Sequence, residues 1–241
     1  MASSDDFDLA SLAEYLHVSL AHASKLAERG RIPGRRVAGQ WKFSRTEINS
    51  WIESRLGDAD PNEMAPVHQV VQSPAFDSAT PLTLAEMLPL EAIAAPLAAR
   101  TRQSVIDAMV ELAGNTGMLW DVVRMREAVK DREELHTTAL ENGVALLHPR
   151  RPLPAILEGP FLSLGVVSSG IHFGDLRGRE TDVFFLICSI SDRGHLRTLS
   201  RLGKFLTDSQ SLEDIRTAEN AYDLRERLIA NETRLFSEAS S

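Results

Sequence analysis

Between Gly57 and Thr80 the chain reads GDADPNEMAPVHQVVQSPAFDSAT, with three prolines, four acidic residues and no Lys or Arg. No apolar period of 3.6 or 2 residues is sustained there, so the stretch cannot bury one face of a helix or a strand. A break of this kind divides 241 residues into two pieces, each of which must fill its own core. The predicted organisation is a domain over residues 1–56, a linker over 57–80, a second domain over 81–235 and a tail over 236–241. Hydrophobic residues make up 43% of the chain and charged residues 25%, enough apolar side chains for two soluble cores.

Several classes drop out on composition. The apolar run from Val183 to Ile190 is far shorter than the roughly 20 residues that cross a bilayer, and the opening MASSDDFD is acidic, so neither membrane insertion nor a secretion signal is expected. The single cysteine, Cys188, cannot form an internal disulfide and reads as a small buried hydrophobe, which suits a reducing cytoplasm. With no GxGxxG, P-loop or GxSxG string, no nucleotide cofactor or serine-hydrolase chemistry is expected. No histidine or cysteine spacing suits a metal.

In the first segment Asp8 is placed to cap a short helix carrying Leu9, Leu12, Ala13 and Leu16 on one face, broken at His17-Val18-Ser19. Ser19 caps a second helix from Leu20 to Arg29, ended by Gly30. Extended pieces at Arg35–Ala38 and Trp41–Phe43 are predicted to form a hairpin about Gly39-Gln40, a wing. Ser44 and Glu47 have capping-box spacing before a third helix that buries Ile48, Trp51 and Ile52. Net charge is −8 overall, yet residues 25–45 hold seven bases and one acid.

That order, with the string IPGRRVAGQWKFSRTEINSWI, resembles the winged helix-turn-helix domains of the MerR and excisionase class. The resemblance implies DNA as a partner, with Lys25, Arg29, Arg35, Arg36, Lys42 and Arg45 as the nucleic-acid-binding residues. Such side chains neutralise backbone phosphates and carry little sequence information by themselves. After the turn the second helix offers Leu20, Ala21, His22 and Ser24, a set poor in donors for base edges.

From Leu82 onward, helical periods at Ser104–Ala113 and Leu119–Val129 alternate with β-rich pieces at Val144–Leu146, Leu162–Val167 and Val183–Ile190. Later helices are predicted over His195–Leu206, Leu212–Arg216 and Ala218–Ile229. The fold class is α/β. Here the string REELHTTALENGVALLHPR, with Arg132 sixteen residues before His148, and the string VFFLICSISDRGHLRTLSRLGKFL resemble the IIA domains of the mannitol, fructose and nitrogen-regulatory phosphotransferase type. The resemblance implies an α/β sandwich with helices around a mixed sheet, His148 as phosphoryl acceptor, and His195 and Arg132 as its supporting residues. A neutral imidazole with an unperturbed pKa of about 6.5 has a lone pair for phosphoryl transfer near neutral pH. A guanidinium and a second imidazole stabilise the charge spread over the equatorial oxygens.

The implied function is a regulatory phosphocarrier that takes a phosphoryl group from HPr on His148 and couples it to DNA binding by the first domain. The alternatives are a carrier that serves a IIB sugar-transport component and a IIA-fold binding module that is not phosphorylated. Leu147, which stands where the family has a proline, motivates the last: it frees φ and restores a backbone N–H before the histidine. A homo-oligomer is a further expectation, because a single DNA-reading element of this size buries little surface. His17, His22, His68, His136 and His172 are read as ordinary structural or surface histidines.

Overall fold

The computed structural model describes residues 6–16, 18–56, 82–174 and 178–237, apart from the side chains at 46, 50 and 53–56. The expected linker over 57–80, His17 and His68 lie outside the described residues. The chain divides into two compact units, residues 1–81 and 82–241.

In the first unit a three-stranded antiparallel sheet, ordered β1-β3-β2, combines β1 (Asp6–Phe7), β2 (Arg35–Val37) and β3 (Gln40–Ser44). Three helices accompany it: α1 (Leu9–Tyr15), α2 (Leu20–Glu28) and α3 (Arg45–Leu56). Asp8 and Ser19 cap α1 and α2 as expected, accepting from the backbone N–H of Ser11 and His22. Leu12, Leu16, Ala23, Phe43, Ile48 and Ile52 are buried between them, with Trp51 half-buried. The hairpin register pairs Val37 with Gln40, so its turn is Ala38-Gly39 rather than Gly39-Gln40. Both turn residues have positive φ, 51° and 80°, as a two-residue turn matched to strand twist demands. Only the glycine adopts that conformation cheaply, and an alanine in the first position hides the turn from a reading based on residue type.

The second unit is built on a four-stranded mixed sheet ordered β4-β6-β7-β5. Its strands are β4 (Ile93–Ala94), β5 (Val144–Leu147), β6 (Phe161–Ile171) and β7 (Thr181–Cys188). β4 runs parallel to β6, β6 antiparallel to β7, and β7 parallel to β5, with Leu147 opposite Leu186. The helices are α4 (Leu84–Met87), α5 (Arg102–Asn115), α6 (Val122–Leu135), α7 (Asp192–Leu206), α8 (Ser209–Arg216) and α9 (Ala221–Ser237). One sheet face, carrying Ala145, Leu147, Phe161, Phe184, Leu186 and Cys188, closes a core with Val105, Met109 and Ala113 of α5 and Met125 and Val129 of α6. Side chains alternate along a strand. Leu146, Phe185 and Ile187, also buried, therefore face the other way, where α7 packs against β7. This is the expected sandwich of helices around a mixed sheet.

Burial pushes the Cys188 thiol pKa up, in keeping with its place as a core hydrophobe. Several boundaries moved: the last helix is Ala221–Ser237 rather than Ala218–Ile229, and two other shifts have a local cause. Helix α6 starts at Val122, because Asp121 caps it, and runs on through a polar stretch to Leu135; Leu119 instead forms a β-bridge with Leu157. Strand β7 ends at Cys188, and Ser191 caps α7 three residues further on, so this helix begins at Asp192 instead of His195.

The α8–α9 layer carries a pH dependence. Partial burial raises the pKa of Asp208, but hydrogen bonds from Arg234 and Ser211 outweigh it and hold the carboxyl below its ordinary value. The carboxylate thus stabilises the fold above the unfolded pKa of about 3.9, and that contribution is lost as pH falls through the lower folded value. Asn caps a helix about as well as Asp, so Asp208→Asn isolates the charge. Urea unfolding at neutral pH is expected to show a loss of about 1 kcal/mol, discounted because Arg234 is partly solvated, that shrinks as the pH falls below the ordinary carboxylate range.

Candidate functional site

The site forms because β5 and β7 are parallel neighbours, so their C-terminal ends lie at one edge of the sheet. His148 directly follows Leu147, the last residue of β5. Beyond β7 the chain passes Ser189 and Ile190 to the helix cap Ser191, and His195 then falls in the first turn of α7. The two imidazoles meet with ring centroids 4.8 Å apart and planes inclined at 46°. They are 1% and 5% exposed, so an incoming group must displace neighbours to reach them.

Each ring is oriented through Nδ1. That of His148 lies 2.9 Å from the Pro149 carbonyl oxygen, an acceptor, so the tautomer that satisfies both keeps its proton on Nδ1 and the lone pair on Nε2. That of His195 lies 3.3 Å from the hydroxyl of buried Ser189. The Ser189 carbonyl also accepts from the Leu153 N–H at 3.2 Å, pinning the loop after His148 to the segment before His195. Nothing in residue type marked Ser189 in advance. In α7 the Ser191 side chain accepts from the Gly194 N–H, and the His195 N–H donates to the Ser191 carbonyl.

Arg132 comes from the opposite layer, near the end of α6. It is 1% exposed, and its Nη1 donates to the His136 carbonyl at 2.7 Å. Residues after His136 run antiparallel beside β5, with the Leu146 N–H donating to Thr138 O and the Leu140 N–H to Val144 O. Gly143, at φ 83°, makes the reversal between them. The carbonyl to which Arg132 donates thus opens the segment that pairs with β5, the strand that His148 follows. Glu133 locks the same turn: its carboxylate accepts from the N–H and hydroxyl of Thr138 and pairs with Arg102. Leu147 is fully buried in the sheet, so strand pairing and core packing hold the position where a proline ring was expected.

On the first unit, Lys25, Arg29, Arg35 and Arg36 are exposed and Lys42 is partly so. Arg35 bonds Asp6 at 2.8 Å, and Arg36 lies over the Trp41 ring at 5.0 Å. Arg31, exposed in the same region, was not among the expected contacts. Arg45 departs from that set: its guanidinium carbon sits 4.5 Å from the Phe7 ring centroid and 5.1 Å from that of Tyr15, turned into the aromatic edge of the core. Cation–π contacts of this kind contribute about 0.5–2 kcal/mol. Arg45→Ala is therefore expected to cost about 1–2 kcal/mol of first-unit stability in a denaturant titration, while Lys25→Ala leaves stability within about 0.5 kcal/mol.

Comparison with known proteins identifies both domains. Residues 86–231, more than half of the chain, match the family described as phosphoenolpyruvate-dependent sugar phosphotransferase system, EIIA 2, and residues 7–56 match a helix-turn-helix domain. The fructose-specific EIIABC component of the phosphotransferase system of Bacillus subtilis is 26% identical over 141 residues, covering 58% of this chain and 22% of that protein. The nitrogen regulatory protein of Bradyrhizobium diazoefficiens is 31% identical over 97 residues, covering 39% of this chain and 61% of the relative. The chain thus spans less than two thirds of either relative's length. Among solved structures, nitrogen regulatory protein IIA-Ntr from Neisseria meningitidis superposes with a TM-score of 0.54 at 20% identity, covering 60% of this chain and 98% of that one. IIA mannitol from Escherichia coli superposes at 0.51 and 19%, covering 58% and 97%. No helix among the described residues is long and apolar enough to cross a membrane. The chain belongs to the EIIA 2 family of the phosphoenolpyruvate-dependent sugar phosphotransferase system and carries a helix-turn-helix domain ahead of its EIIA domain.

Proposed function

We propose that the protein is a regulatory phosphocarrier of the cytoplasm: HPr donates a phosphoryl group to His148, and the modified EIIA domain alters DNA binding by the helix-turn-helix domain. The observation that carries this is the imidazole pair at the C-terminal ends of two parallel strands, with centroids 4.8 Å apart. In the transfer, Nε2 of His148 attacks phosphorus as the phosphorus–nitrogen bond to the donor histidine breaks, and the His148 proton stays on Nδ1, held by the Pro149 carbonyl. His195 and Arg132 stabilise the charge on the transferring group. The phosphate adds about −1.5 to −2 charges, sufficient to favour or oppose contact with a basic surface such as the one from Lys25 to Arg36.

Incubation with phosphoenolpyruvate, enzyme I and HPr is expected to label the wild type with acid-labile phosphate and to leave His148→Ala unlabelled. Equal labelling of the two would remove His148 as acceptor. Duplex DNA affinity, measured at one salt concentration with and without the phosphate, tests the coupling; equal affinities would end it. A IIB component as onward acceptor is a second reading. It is supported by the likeness to IIA mannitol as solved in complex with phosphorylated IIB mannitol from Escherichia coli, at 18% identity with a TM-score of 0.51 and coverage of 59% of this chain and 99% of the other.

A further inference from the structure

The face that α2 turns outward carries an unusual chemistry for a helix expected to read DNA. Base-reading in helix-turn-helix domains falls to the first turns of the second helix. Here the first two residues of α2 are apolar and outward: Leu20 is 54% exposed and Ala21 is exposed. The polar groups beside them are engaged locally. The Ser19 hydroxyl caps the helix by accepting from the His22 N–H, and the Ser24 hydroxyl donates to Glu28 Oε1 at 3.1 Å. Nε2 of His22 is buried against the unit rather than presented to solvent. The same unit also exposes Lys25, one turn beyond Ala21 on α2, and Arg29, Arg31, Arg35 and Arg36, a basic frame complementary to backbone phosphates.

We infer that Leu20 and Ala21 form an apolar reading surface for the C5 methyl groups of thymine in the major groove of duplex DNA. This rests on the DNA-binding reading above and specifies what such binding would recognise. The methyl group is the one apolar feature that a base pair shows in the major groove, and small aliphatic side chains are its usual contacts. The basic frame supplies affinity and the apolar tip supplies preference. Glu28 lies two turns along the same outward face and repels phosphates, so it lowers affinity for every duplex alike.

Fluorescence anisotropy of the full chain at one low salt concentration tests this with alternating duplexes that differ only in the methyl group. The pairs are poly(dA-dT) against poly(dA-dU), and poly(dG-dC) against its 5-methyl-dC counterpart, which adds the methyl without changing the base pair. In both pairs the methylated duplex is expected to bind about fourfold tighter for each methyl covered, the factor that one buried methyl group is worth. Leu20→Ser and Ala21→Ser, at exposed positions, are expected to erase the difference while keeping the salt dependence. Glu28→Gln is expected to tighten binding to all four duplexes equally. Equal affinities within both pairs, with binding intact, would overturn the methyl inference alone. A protein that binds none of the four would overturn the DNA-binding reading as well.

Discussion

His195→Ala is expected to slow phosphoryl acceptance at His148 by about 10²- to 10³-fold, the loss that follows removal of one well-placed donor to developing charge. The ring is 5% exposed, held by the Ser189 hydroxyl on one side and packed against His148 on the other. Its helix fixes it further, because the Ser191 cap sets the first turn of α7 and leaves the imidazole little freedom. A preoriented group pays no reorganisation cost when charge develops. The extent of labelling after long incubation is expected to match wild type, since the acceptor itself is unchanged. Gln at this position keeps a hydrogen-bond donor, so His195→Gln should recover part of the rate. If the rate of His195→Ala equalled that of wild type, the second imidazole would be a packing residue and the stabilising charge would come from elsewhere.

Glu133→Ala is expected to lower the stability of the EIIA domain by about 2–4 kcal/mol, a fall of roughly 5–15 °C in its melting temperature. The carboxylate is 2% exposed and accepts from the N–H and hydroxyl of Thr138, which begins the antiparallel segment along β5, while Arg102 pairs with it from α5. Truncation leaves those donors without their acceptor in a dry place. The estimate stays below the full cost of breaking a buried ion pair because the Arg102 side chain is 40% exposed and can turn to water. Glu133→Gln keeps an acceptor for Thr138 and should fall between the two. Because Glu133 sits next to Arg132 and anchors the turn that carries the Arg132–His136 bond, slower phosphoryl acceptance should accompany the lost stability. Unchanged melting would show that the turn is held without this carboxylate.

How much of this was readable in advance follows from the range of each interaction. The buried strands stood out as short apolar runs, and Arg132 with His148 in one string and His195 in a second could be named because each string is local in the chain. The meeting of His148 and His195 depends on something else, the parallel pairing of β5 with β7, which residue order alone does not give. β1 escaped because two residues carry no period; its partner β3 lies far along the chain. The same limit hid Arg45 between Phe7 and Tyr15, and it hid the Ser189 hydroxyl beside the His195 ring. Basic residues read well as a stripe but poorly as individuals, because whether a guanidinium faces solvent or an aromatic ring is decided by packing.

The most direct measurement identifies the atom that carries phosphate. With Nδ1 of His148 engaged by the Pro149 carbonyl, wild-type protein charged from phosphoenolpyruvate through enzyme I and HPr is expected to show one phosphohistidine by 31P–15N correlation, at Nε2 of His148. Phosphate on Nδ1 of His148 would contradict the tautomer set by the Pro149 carbonyl, phosphate on His195 would remove His148 as acceptor, and phosphate on no residue at all would contradict the phosphocarrier account and leave an EIIA fold serving as a binding module.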